Sequence, residues 1–230
     1  MSRPPHGRTA LGRCRRVNRE GVRKLLTEHE WEEIVRLALL DRRVLRILLG
    51  LLYEAEDYVH WLAIDAIGRC GGRTAADNPE KTRDLIRRLL WTLNDESGGT
   101  PWGATGAIGA VIAARPDLFG GYLSMICPFH DDVNLYPEFI WSVGAVGRTR
   151  PELAGEYVPF LLDALGHAAA DIRGYAAWCL GVLRAVDAAD ALEACRGDAA
   201  EAAVYEGDGV YRRRSVGAIA ADSLERMGKG

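Results

Sequence analysis

The 230-residue chain has little of what usually announces an activity. Its five cysteines, Cys14, Cys70, Cys127, Cys179 and Cys195, are odd in number and widely spaced, with no CxxC pair. That argues against a disulfide framework or a zinc knuckle. Cys70 and Cys179 fall within helical apolar patterns and read as small buried hydrophobes. No apolar run approaches the ~20 residues needed to span a bilayer. The Arg-rich beginning also lacks the apolar stretch and cleavage pattern of a secretory signal. No membrane contact and a cytoplasmic location are therefore expected. A Gly-x-Ser-x-Gly elbow, a Walker loop and a dinucleotide fingerprint are all missing, and no Cys or Ser stands in a recognisable setting with a His. An enzyme is thereby disfavoured, and no cofactor is expected.

What is present is the composition of a soluble globular protein, 48% hydrophobic and 27% charged. Charge is uneven: residues 1 to 24 carry eight Lys or Arg against the single acid Glu20, and the remainder is net acidic. Residues 1–18 read as a basic, partly disordered arm, a solvated leader or a contact for phosphates. Residues 19–230 read as one repeat domain.

The repeat is visible in one small residue. Ala66-Ile67-Gly68, Ala107-Ile108-Gly109, Ala145-Val146-Gly147, Cys179-Leu180-Gly181 and, more weakly, Ala218-Ile219-Ala220 recur at spacings of 41, 38, 34 and 39. Periods of this size match stacked helix pairs, each of which needs its neighbours to bury its apolar face. A Gly inside a helix costs about 1 kcal/mol relative to Ala. Close approach of a neighbouring helix is the natural compensation. Amphipathic stretches between the columns, such as Leu85, Ile86, Leu89 and Leu90, supply the first helix of each pair.

The expected fold is thus an all-α superhelix of about five helix pairs, at 19–40, 42–73, 79–115, 116–149 and 151–185, with a final helix at 212–227. Residues 203–211 alternate around Gly207-Asp208-Gly209 and read as a small β-hairpin. Such a ribbon is marginal alone, so it is expected to pack across the last helices and cap the open end of the array.

The Ala-Ile-Gly column, the aromatic-led second helices and the hairpin resemble the HEAT-like repeats grouped with phycobilisome lyases, over most of residues 20 to 227. The stretch from Trp91 to Ala104 is similar to the signature of a bacterial subgroup of such proteins. The resemblance implies an α-solenoid, a scaffold shared by adaptors and a few enzymes. In HEAT-like deoxyhypusine hydroxylases, adjacent His-Glu pairs repeated across helices hold two irons. Only His29-Glu30 occurs in this chain, so no metal is expected.

Two constellations stand out. The turn from Asn94 to Pro101 is longer than a helix connection requires. Thr100 and Pro101 suit an N-cap and first helical position, which would offer free N–H groups to an anion, while Asp95 and Glu96 would favour a cation, an amine or a basic peptide. The same turn also reads as punctuation alone. The second is an aromatic row: Trp61 and Trp102 stand seven residues before the column glycine, Trp141 and Tyr175 six. With Trp178 they either line a concave face or belong to the core.

The first functional expectation is a non-enzymatic scaffold that binds a segment of a partner protein through Trp102, Trp141, Tyr175 and Trp178, with Asn94, Asp95, Glu96 and Thr100 at the rim. The second, implied by the resemblance, is a lyase- or isomerase-like protein holding a tetrapyrrole or other flat acidic small molecule, whose carboxylates Arg148 and Arg173 would pair. The third is nucleic-acid binding through Arg212, Arg213, Arg214 and the basic arm. A pI near 6.0 disfavours it.

Overall fold

The computed structural model describes residues 17–54, 56–94 and 102–228. Helices α1 (Arg19–Thr27), α2 (Trp31–Leu40) and α3 (Arg42–Leu51) lead into the long α4 (Asp57–Asp77), which is followed by α5 (Pro79–Leu93) and α6 (Ala104–Ala114). Beyond them the first member of each pair is broken. Single turns α7 (Pro116–Phe119) and α8 (Leu123–Ile126) precede α9 (Tyr136–Gly147), and α10 (Pro151–Ala154) and α11 (Val158–Ala164) precede α12 (Ala170–Leu183). The breaks follow a sequence rhyme, Pro116-Asp117-Leu118-Phe119-Gly120 and Pro151-Glu152-Leu153-Ala154-Gly155, in which Pro opens a turn and Gly passes the chain into a 3₁₀ segment. The chain closes with α13 (Ala189–Ala194), β1 (Glu201–Gly207), β2 (Val210–Ser215) and α14 (Val216–Gly228).

The second helices α4, α6, α9, α12 and α14 stack consecutively, and the glycine column lies where they touch. A Cβ on Gly68 would stand 2.6 Å from that of Ala110 in α6, one on Gly109 would collide with Ser142 of α9, and one on Gly181 with Ser223 of α14. The helical cost of glycine is offset by backbone approach that no larger residue permits. The adjoining Ile67, Ile108, Val146 and Leu180 are fully buried.

Three expectations change. The segment 212–215 continues β2 rather than opening the last helix, and α13, which buries Leu192 and follows a 3₁₀ turn ending at the buried Ala188, is a further first helix paired with α14. The hairpin is also no end cap. From its base beside α12 it crosses α9 and reaches α4, where its tip at Gly209 meets Tyr58 of α4 and His29 in the turn between α1 and α2. Its tip turns through Asp208 and Gly209 at positive φ; a Cβ on Gly209 would also strike the His29 ring.

Candidate functional site

The aromatic row of the second helices is roofed by the hairpin. Tyr205 is fully buried, with ring centroids 5.5 Å from Trp61, stacked, and 6.0 Å from Trp141; Trp61 lies 5.4 Å from both Trp141 and Tyr175. Trp141, Tyr175 and Trp178 are therefore core, not a lining open to a partner. The cause is the apolar demand of β1, whose Ala202, Ala203, Val204 and Tyr205 are all buried.

Polar groups along the row fasten the strand. The Ala203 N–H donates to Asp171 at 2.8 Å and the Tyr205 N–H to the Tyr175 hydroxyl at 2.9 Å, so that edge of β1 has its donors met by α12. The Tyr205 hydroxyl donates to Asp65 at 2.8 Å, and the same carboxylate accepts from the Asp208 N–H at 2.9 Å. Arg69 joins Asp65 to Asp208. Burial holds the Tyr205 phenol far above its ordinary value, with Asp65 reinforcing the effect. Burial likewise pushes the Cys70 thiol up to about 12 and the Cys179 thiol higher, which leaves both as neutral packing groups.

The two arginines assigned to an acidic ligand are engaged within the chain. Arg148 donates to the Glu206 carbonyl and lies over the Trp178 ring at 5.4 Å. Arg173 bonds Asp198 at 2.7 Å and the carbonyls of His167 and Ala168 at 2.8 Å. Of the arginine run on β2, Arg212 and Arg214 pair with Glu206, and Arg214 also with Asp222. Among the described residues no three His, Cys, Asp or Glu side chains gather to hold a metal, and no helix is long and apolar enough to cross a membrane.

At the turn after α5, Asn94 ends the helix, its amide donating to the Leu90 carbonyl at 2.7 Å. Asp95, Glu96 and Thr100 lie outside the described residues. The next helix starts later than the Thr100-Pro101 pattern implies: Gly103, at φ +77°, precedes Ala104, and a side chain there would also collide with Leu52. Its N-terminus already holds an anion of the chain's own. Glu138, 4% exposed, accepts from the Gly103 N–H at 2.8 Å and the Gly106 N–H at 2.9 Å. His60 completes the junction, with Nε2 3.4 Å from Glu138 and Nδ1 2.7 Å from the Leu52 carbonyl. Both ring nitrogens face acceptors, so only the doubly protonated imidazole satisfies both. Burial pulls its pKa down, yet the bond to and charge of Glu138, joined by the Leu52 carbonyl and Asp57, outweigh that, and the net shift is upward.

One surface beside this junction stays open. Trp102 is 43% exposed, and with Tyr53 (57%) and Trp91 (68%) it borders a cleft of about 380 Å³ floored by Leu49, Leu52, Leu85 and Leu89. Arg87 and Arg88 stand on its wall. Arg87 pairs with Asp84 at 2.9 Å, whereas Arg88 is exposed and has no carboxylate partner among the described residues. Of the expected aromatic set, only Trp102 remains accessible. Tyr53 and Trp91 are not among the residues expected to bind, although Trp91 carries a signal: it falls off the buried stripe Leu85, Ile86, Leu89, Leu90 and Leu93 of its own helix. The chain matches no protein-family model and no curated protein.

Proposed function

We propose that this chain is a non-enzymatic binding scaffold, and that the Tyr53–Trp91–Trp102 cleft takes an apolar segment of a partner protein bearing a carboxylate for Arg88. The observation that carries the reading is the exposure of three large aromatic rings around one apolar floor, in a chain that buries Trp61, Trp141, Tyr175 and Trp178. Exposed aromatic rings beside an arginine have the composition of binding hot spots, and covering apolar surface is worth roughly 25 cal/mol per Å². The stacked second helices and their glycine contacts support the HEAT-like assignment. The four cysteines among the described residues are unpaired, which fits a cytoplasmic setting.

The test is quantitative affinity purification from expressing cells with wild type, Trp91→Ala, Trp102→Ala and Arg88→Glu. A partner recovered near stoichiometrically by wild type and reduced at least tenfold by each variant supports the cleft. Equal recovery across the four proteins overturns it.

A further inference from the structure

The hairpin has a second edge, and no described residue hydrogen-bonds it. β1 and β2 form a two-stranded antiparallel sheet in which Ala203 faces Arg213 and Tyr205 faces Tyr211. Because the N–H groups of Ala203 and Tyr205 turn away from β2 to reach Asp171 and Tyr175, these two pairs are the non-hydrogen-bonded ones of the ladder. The Val216 N–H bond to the Ala200 carbonyl, at 2.9 Å, keeps the same alternation. It follows that the main-chain N–H and C=O of Tyr211 and Arg213 point outward from the free edge of β2. No group among the described residues bonds them.

A bare edge is a template for another strand, and its side chains decide which. Arg212 is largely exposed, and Arg213 is exposed with no carboxylate partner among the described residues. A second copy pairing antiparallel about Arg213 would set that arginine against its own equivalent, and like charges directly opposed are destabilising. An extended segment with carboxylates at alternate positions meets both the backbone groups and the charge.

We propose that β2 accepts an extended acidic segment of another protein as a third, antiparallel strand, hydrogen-bonded at Tyr211 and Arg213 and paired in charge with Arg213. The surface is separate from the tryptophan cleft and does not depend on it.

The probe is a fluorescein-labelled synthetic peptide alternating Glu with Val, titrated by anisotropy into the full chain. The comparison peptides carry Lys in place of Glu, or Pro in place of every second residue. The acidic peptide is expected to bind at least tenfold more tightly than either, and to slow hydrogen exchange at the Tyr211 and Arg213 amides while those of Arg212 and Arg214, already in the ladder, change little. Arg213→Pro removes an outward N–H without touching a ladder bond and is expected to lose binding at least tenfold. Arg213→Glu does the same through charge if the proline variant fails to fold, and Arg213→Lys retains binding. Trp102→Ala binds the peptide as wild type does, which separates this surface from the cleft. Equal affinity for the acidic and lysine peptides overturns the proposal. So does binding without protection of the two amides, or protection that rises with protein concentration alone and marks self-pairing.

Discussion

Trp61 and Trp102 occupy the same place relative to their column glycines, yet one is sealed and the other is open. Trp61 lies inside α4 and packs beneath Tyr205, whereas Trp102 precedes α6, separated from it by the left-handed Gly103. Equal spacing to the column therefore does not mean an equal environment. The ring inside a helix is held at a fixed height on the stack, while the ring before the helix is aimed by the turn. Under the hairpin, aromatic side chains serve cohesion; beside α5 and the start of α6 they are left exposed.

The sharpest way to break this comparison is Tyr205→Ala. It removes the ring shared by Trp61 and Trp141, together with a hydroxyl bonded to Asp65 and to the Gly209 N–H. A loss of about 3–5 kcal/mol is expected in urea unfolding, with tryptophan emission shifted to the red; a loss below 1 kcal/mol would mean that the hairpin is not what seals the row. Gly109→Ala comes next. The added methyl meets Ser142, and overpacking of this kind costs about 1–3 kcal/mol. Ser142→Gly in the same chain should return part of that stability, and no recovery would place the strain elsewhere.

A smaller effect comes from the His60–Glu138 junction between the two regions. A folded pKa raised above the ordinary imidazole value of 6.5 gives stability that is complete below that value and is lost as pH climbs through the raised one. The urea midpoint of wild type should therefore fall across this window. His60→Gln should flatten that fall; an unchanged profile in the variant would exclude His60 as its source. Least affected in stability are Trp91→Ala and Trp102→Ala, each expected within about 1 kcal/mol of wild type, because their rings are substantially solvated. A larger loss in either would make the cleft a structural element and remove the contrast with the sealed row.

The glycine column was legible because helix–helix approach leaves a local mark, one small residue per period beside Ala or Cys and a β-branched or Leu neighbour. The hairpin was legible for a similar reason, since alternation and the Gly-Asp-Gly turn are short-range signals. The late start of α6 was hidden. Thr100-Pro101 is a sound local cap pattern, but Leu52, which crowds Gly103, and Glu138, which takes the N–H groups of Gly103 and Gly106, come from distant positions.

The sequence by itself determined that this chain is helical, that its second helices nest on glycine, and that two strands precede the last helix. Each of these follows from side-chain size and periodicity over a few turns. Only the tertiary structure decided that the hairpin lies over the aromatic row and that the open rings are Tyr53, Trp91 and Trp102. The bonds responsible join residues as far apart as Tyr205 and Asp65, or Gly209 and Tyr58. Local patterns state how much apolar surface must be covered; which element covers it depends on where the assembled helices leave a matching face.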